Sequence, residues 1–118
     1  MATLFEEYGG FAKVSRFVST FYDKVLDSPV LAPYFADADM RRLIDHQTKF
    51  IAQVMGGPVS YSDSELERVH ARYRISNDAF EEMNALLREA LEDCAVAEDD
   101  IEAICKEIAS RRSIIVSR

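Results

Sequence analysis

Four polar residues on otherwise apolar predicted helix faces could carry out chemistry in this sequence: Tyr22, His46, Gln47 and His70. They come from three separate predicted helices, and the 118 residues contain only these two histidines. Burying a hydroxyl, an amide or an imidazole costs roughly a few kcal/mol unless the group finds a partner. A plain helical bundle has no reason to collect such groups, so the pattern indicates a cavity between the helices.

A flat apolar cofactor that carries a metal would suit such a cavity. One imidazole nitrogen would bind iron from one face, while the hydroxyl and amide donors would line the other. Zinc, phosphate and nucleophile motifs are not recognisable in the sequence. Each residue also has a purely structural interpretation, with Tyr22 as a core ring bonded to a backbone carbonyl and His70 as a core or boundary histidine.

The helix that carries His46 and Gln47 is predicted within residues 36–58. Asp39 is expected to cap its start, and the pair Gly56-Gly57 followed by Pro58 to end it. Gln47 occupies a position where the apolar stripe of the helix would otherwise continue, and His46 lies at the edge of that stripe. The stripe has the helical period and consists of Leu43, Ile44, Phe50, Ile51, Val54 and Met55.

The rest of the chain also has the helical period, with short linkers. Before the helix of His46, we expect at most one helical turn at Thr3 to Glu7, a helix from Phe11 to about Asp27 and a covered aromatic segment around Phe35. After it, we expect a short helix from Asp63 to Arg72 and two further helices that begin near Ser76 and Ala97. The apolar face of the helix from Phe11 consists of Phe11, Val14, Phe17, Val18, Phe21, Tyr22, Val25 and Leu26, and that of the short helix from Asp63 consists of Leu66, Val69 and His70. The faces of the last two helices are Phe80, Met83, Leu87, Ala90, Leu91 and Cys94 for the first, and Ile101, Ile104, Cys105, Ile108 and Ile115 for the second. The sequence therefore predicts an all-α fold with about four substantial helices in a single domain, residues 1–118.

Composition restricts the class of partner. A net charge of -7 argues against nucleic acid or an anionic membrane, because phosphate binding needs a basic face. There is no apolar run of about 18 residues to span a bilayer and no secretion signal, so a cytoplasmic protein is expected. Cys94 and Cys105 are expected to be reduced, buried small hydrophobes on neighbouring helical faces, with a disulfide or metal pair as the minority interpretation.

Four segments together resemble the group I truncated haemoglobins across nearly the whole chain. The segments are GGFAKVSRFVSTFYDKVL, APYFADADM, HQTKFIAQVMGGPVSYS and VHARYRIS, the last followed by Phe80. Each motif is loose, but their order and spacing together are specific. The resemblance implies a shortened globin fold, two helices packed over two, with non-covalent haem b between them.

The resemblance also implies a role for individual residues. His70 matches the proximal iron ligand, Tyr22 and Gln47 the distal donors, and Phe35 the ring that packs on the haem, while Leu43 supplies an apolar wall. Arg42, Lys49 and Arg72 are candidates for the haem carboxylates. Ala71 departs from the family, which often has glycine there. The full set of implied haem-contacting residues is Tyr22, Phe35, Arg42, Leu43, His46, Gln47, Phe50, Val69, His70, Ile75 and Phe80.

His46 followed by Gln47 resembles the cyanobacterial branch of the family, in which this histidine swings in as the sixth iron ligand. The alternative is a histidine at the haem edge that bonds a propionate or solvent. Some of those relatives also attach haem covalently through a histidine near the C-terminus. The only histidines here are His46 and His70, so that linkage is not expected.

The expected function is binding of the diatomic gases O2, NO and CO, with nitric oxide dioxygenase or redox activity supported by an unidentified reductase. The protein is expected to be a monomer or weak dimer. The competing hypothesis is a haem-free, globin-like sensor or interaction module, in which the same helices bury each other and Tyr22, Gln47 and His70 pair internally.

Overall fold

The computed structural model describes residues 3–36, 38–58 and 75–111. Within these ranges every regular element is helical, which confirms the predicted all-α class. The elements are α1 (Leu4–Glu7), α2 (Phe11–Asp27), a 3₁₀ helix (Ala32–Phe35), α3 (Met40–Val54), α4 (Asn77–Asp93) and α5 (Glu98–Ala109). The short helix predicted from Asp63 to Arg72, with Leu66, Val69 and His70, lies outside the described residues, as does Ile115.

Side-chain caps define where three of the helices begin. Thr3 accepts a hydrogen bond from the backbone N–H of Glu6 at 3.2 Å, and Glu6 bonds back to form a capping box at α1. At α3 the Asp39 carboxylate accepts from the Arg42 N–H, and at α4 the Ser76 hydroxyl accepts from the N–H of Ala79. The caps at Asp39 and Ser76 are those that the sequence predicts.

The four longer helices pack as two pairs. α2 lies against α3 and α4, α4 lies against α5, and α3 also contacts α5. Their buried side chains form one continuous apolar cluster, which also includes Phe5 from α1 and Phe35 from the 3₁₀ helix. The polar residues His46 and Gln47 lie on α3, which also contributes buried apolar side chains to this core. Among the residues described, no helix is both long and apolar enough to cross a membrane.

Two residues of the predicted α2 face are not buried. Phe11 is 43% exposed and Leu26 is 44% exposed, whereas the buried residues of α2 run from Val14 to Val25. Both residues lie outside this stretch, near the two ends of α2. Their side chains point toward the buried side of the helix, but no neighbouring element extends far enough to cover them fully. Phe11 still makes an edge-to-face contact with Phe5, at 4.8 Å between ring centroids.

The end of α3 packs closely on α1. The N–H of Gly57 donates to the Ala52 carbonyl at 2.7 Å, and the N–H of Phe5 donates to the Met55 carbonyl at 3.0 Å. A Cβ atom added to Gly57 would lie 2.8 Å from the Phe5 ring and 2.9 Å from the Ala52 carbonyl oxygen. Neither contact is tolerable, and the carbonyl cannot move without disturbing α3.

We therefore expect Gly57→Ala to lower the free energy of unfolding by about 2 kcal/mol through overpacking. Urea unfolding followed by circular dichroism measures it. Ala85→Gly is the control, because it changes an exposed residue inside α4 and has only the helix-propensity cost of about 1 kcal/mol. A smaller loss for Gly57→Ala than for Ala85→Gly would contradict this assignment.

Candidate cofactor site

Tyr22 is held inside the molecule by aromatic neighbours. Its side chain is only 2% exposed. The Phe35 ring packs edge-to-face on it with centroids 5.7 Å apart, and Phe21 does so at 5.0 Å. Such pairs each contribute about 0.5–1.5 kcal/mol beyond simple burial. The phenol of Tyr22 is therefore a fixed polar group in an apolar wall, beside the ring that the sequence predicts to be covered.

The turn that carries Phe35 is fixed by a buried serine. The Ser28 hydroxyl accepts from the N–H of Leu31 at 3.3 Å and donates to the Glu82 carboxylate at 3.2 Å. The Ser28 carbonyl also accepts from the N–H of Ala32 at 2.8 Å. These bonds tie the end of α2 to α4 and start the 3₁₀ helix, so the position of Phe35 is set by both helices.

Three site residues of α3 follow from its helical period. Leu43 is buried, and His46 and Gln47 are half-buried. The Nε2 atom of His46 is fully buried, so its imidazole turns inward and away from solvent. Thr48, which the apolar stripe does not predict, is buried and donates its hydroxyl to the Ile44 carbonyl at 2.6 Å. A polar side chain here is tolerated because its own helix supplies the acceptor.

A small, partly open cavity of about 50 Å³ lies between α2, α3, α4 and α5. Gln47 and Asn84 are its two polar lining residues, and the other lining residues are apolar. The sequence predicts Gln47 but misses Asn84, although Asn84 follows Phe80 by one helical turn and so shares its face. The lining consists of Val18, Phe21, Gln47, Phe50, Ile51, Phe80, Met83, Asn84, Leu87 and Ile108.

The remaining predicted contacts divide into three groups. Phe50, Ile75 and Phe80 are buried in the core. Arg42 and Lys49 are exposed on the outer side of α3, and Lys49 forms an ion pair with Asp45 at 3.1 Å. Val69, His70 and Arg72 lie outside the described residues. The described part thus packs Phe35 on Tyr22, while Gln47, Phe50 and Phe80 line the cavity between the helices.

Comparison with known proteins decides the family. The family model described as bacterial-like globin matches residues 3–117. The chain belongs to the bacterial-like globin family. Over 118 residues, covering all of both chains, it is 25% identical to a group 1 truncated hemoglobin of Nostoc sp. strain MUN 8820. It is 29% identical over 108 residues to that of Mycolicibacterium paratuberculosis, which covers 92% of this chain and 79% of that protein.

Solved structures of globins have the same fold. The ferric truncated hemoglobin of Tetrahymena pyriformis superposes with a TM-score of 0.88 at 26% identity, over 99% of this chain and 100% of that one. The 2/2 hemoglobin of a Synechococcus species gives 0.90 at 24% identity, over 99% and 100% of the two chains, and supports the fold alone. The predicted two-over-two arrangement and the resemblance to truncated haemoglobins are both confirmed.

Family membership gives this globin its cofactor, haem b held without a covalent bond. The described residues fit that group. Buried phenyl rings and Leu43 offer apolar surface to a porphyrin, and the phenol of Tyr22 and the Nε2 atom of His46 are polar groups buried within the described part. This chemistry favours a haem site over the competing hypothesis of a haem-free module.

Proposed function

We propose that this globin binds O2, NO and CO at the iron of haem b, with His70 as the proximal ligand and Tyr22 and Gln47 on the opposite, distal side. When bound, the haem iron supplies the site at which a diatomic gas binds. The observation that carries the proposal is the burial of the Tyr22 phenol between Phe35 and Phe21. An apolar core does not need a hydroxyl there, whereas a gas ligand does.

Apolar and cationic side chains have separate tasks in this proposal. Phe35, Leu43 and Phe50 wall the pocket on the distal side and exclude water, with Val69, Ile75 and Phe80 completing the apolar enclosure. Arg42 is the better candidate for a haem carboxylate than Lys49, since the ammonium of Lys49 already pairs with Asp45. Arg72 remains a further candidate from the resemblance.

Two donors define the chemistry at the gas ligand. The Tyr22 hydroxyl and the Gln47 amide donate hydrogen bonds to the outer atom of the ligand, where negative charge gathers when the ligand is oxygen. Because these donors hold oxygen tightly, the protein is a poor carrier. It is better suited to nitric oxide dioxygenation, in which one NO, one O2 and one electron give one nitrate. A reductase supplies the electron.

Removing either donor tests this assignment. We expect Tyr22→Phe and Gln47→Leu each to raise the oxygen dissociation rate by about tenfold, because each loses one hydrogen bond to a charged acceptor. Stopped-flow displacement of oxygen by carbon monoxide measures the rate. Tyr34→Phe, on the 3₁₀ helix next to Phe35, removes a half-buried tyrosine hydroxyl to which the proposal gives no role, and it should leave the rate unchanged. Unchanged dissociation in both donor variants would refute the distal assignment.

We also propose that His46 binds the ferrous iron when no gas is present. The buried Nε2 of His46 supports this, since an imidazole that only solvated the helix surface would turn outward. His46 is adjacent to Gln47 on α3, so a small shift of the helix toward the haem brings it within reach. An external ligand then has to displace it, which lowers apparent affinity by the fraction of protein that is open.

The ferrous absorption spectrum distinguishes the two coordination states. We expect low-spin bands in the wild type and a high-spin, five-coordinate spectrum in His46→Leu, together with faster ligand binding. Arg41→Leu, at an exposed position in the first turn of the same helix with no role in the proposed site, should keep the wild-type spectrum. A high-spin wild-type spectrum would mean that His46 is not an iron ligand.

A further inference from the structure

Two side-chain amides from different helices line the small cavity between α2, α3, α4 and α5. Gln47 belongs to α3 and Asn84 to α4, and the other lining residues are all apolar. Asn84 lies four residues after the buried Phe80 and three before the buried Leu87, so it occupies a position where the apolar stripe of α4 would otherwise continue. Both helices therefore place an amide at the same cavity where a hydrophobic residue would be expected.

The amide of Asn84 needs a hydrogen-bond partner. Asn84 is half-buried, and within the described ranges it forms no hydrogen bond with another residue. An amide in apolar surroundings costs about 1–3 kcal/mol unless a hydrogen bond compensates it. Because the cavity is partly open, water can supply that bond.

The cavity has the room and the polar groups that a bound water requires. A water molecule needs roughly 10–15 Å³ of accessible space and two to four polar partners. The cavity offers about 50 Å³, and its two amides provide both donors and acceptors. An apolar cavity would instead stay dry. Hydrogen bonds through such a water are nearly as strong as direct ones.

We propose that Asn84 is a positioning residue for the distal donor Gln47 and acts through a water molecule that the two amides share in this cavity. The side-chain N–H of Asn84 donates to the water, and the water donates to Oε1 of Gln47. The inference rests on the proposed function, in which the Gln47 amide donates to the gas ligand. It adds a residue that determines how tightly the ligand is held.

The orientation of the Gln47 amide determines whether it attracts or repels the gas ligand. A side-chain amide has one end that donates and one that accepts, and the two ends have nearly the same shape. With Oε1 bonded to the water, Gln47 turns its NH₂ end toward the outer atom of the ligand. In the opposite orientation Oε1 would meet the negative charge on that atom and favour dissociation. Because packing hardly distinguishes the two ends, the water selects the orientation.

Asn84→Leu tests this role, because leucine has a similar size but cannot bind the water. We expect the oxygen dissociation rate to rise about fivefold, the factor that corresponds to the net loss of one hydrogen bond. We also expect the C–O stretching band of the carbon monoxide complex to move to higher frequency, because the amide no longer donates to the ligand oxygen. Stopped-flow and infrared spectroscopy measure the two quantities.

Three further variants separate positioning from a change in cavity shape. Asn84→Ser loses volume but keeps a hydroxyl that donates and accepts, so it should retain both wild-type values. Asn77→Leu makes the same chemical change at an exposed position of α4 and should also retain them. In the Gln47→Leu background, Asn84→Leu should add nothing to the dissociation rate, since the two residues act as one unit.

A wild-type dissociation rate and C–O band in Asn84→Leu would overturn the proposal. The same holds if Asn84→Ser behaves like Asn84→Leu, or if Asn84→Leu raises the rate a further fivefold in the Gln47→Leu background. Faster dissociation in Gln47→Leu alone, with no effect of Asn84→Leu, would overturn only the role of Asn84. A protein with no Soret band after haem supplementation would overturn the proposed function as well.

Discussion

The site depends on polar side chains being held on helix faces that the fold buries. A hydroxyl, an amide and an imidazole from Tyr22, Gln47 and His46 are each costly in apolar surroundings unless another group uses them. In the same surroundings their hydrogen bonds are stronger than in water, because the local dielectric is low. In the proposed function the haem and its gas ligand use these groups, which accounts for their place on faces that otherwise carry the core.

The scaffold keeps these groups in place through connections far from the pocket. Ser28 joins the end of α2 to α4 and thereby sets the position of Phe35 against Tyr22. Gly57 allows α3 to close on α1 with almost no space between them. Because small displacements of a donor alter the strength of its hydrogen bond, the rigidity of these joints contributes to gas binding in the proposed function.

Helical periodicity predicts the helices and most of the pocket, because it fixes the direction of each side chain around its axis. It cannot tell how far along the axis a neighbour extends, so Phe11 and Leu26 were wrongly expected to be covered. It also misses residues whose importance depends on the opposite wall, such as Asn84. The hydrogen bond between Tyr8 and Asp100 joins residues 92 positions apart and leaves no local pattern.

The central claim is that the imidazole of His70 holds the iron of a haem enclosed by these helices. Haem uptake by His70→Gly, measured from the Soret band with and without added imidazole, tests it most directly. The account predicts greatly weakened haem binding in the variant and recovery of a wild-type-like spectrum when imidazole fills the space of the missing side chain. Wild-type haem affinity and an unchanged spectrum without imidazole would contradict it.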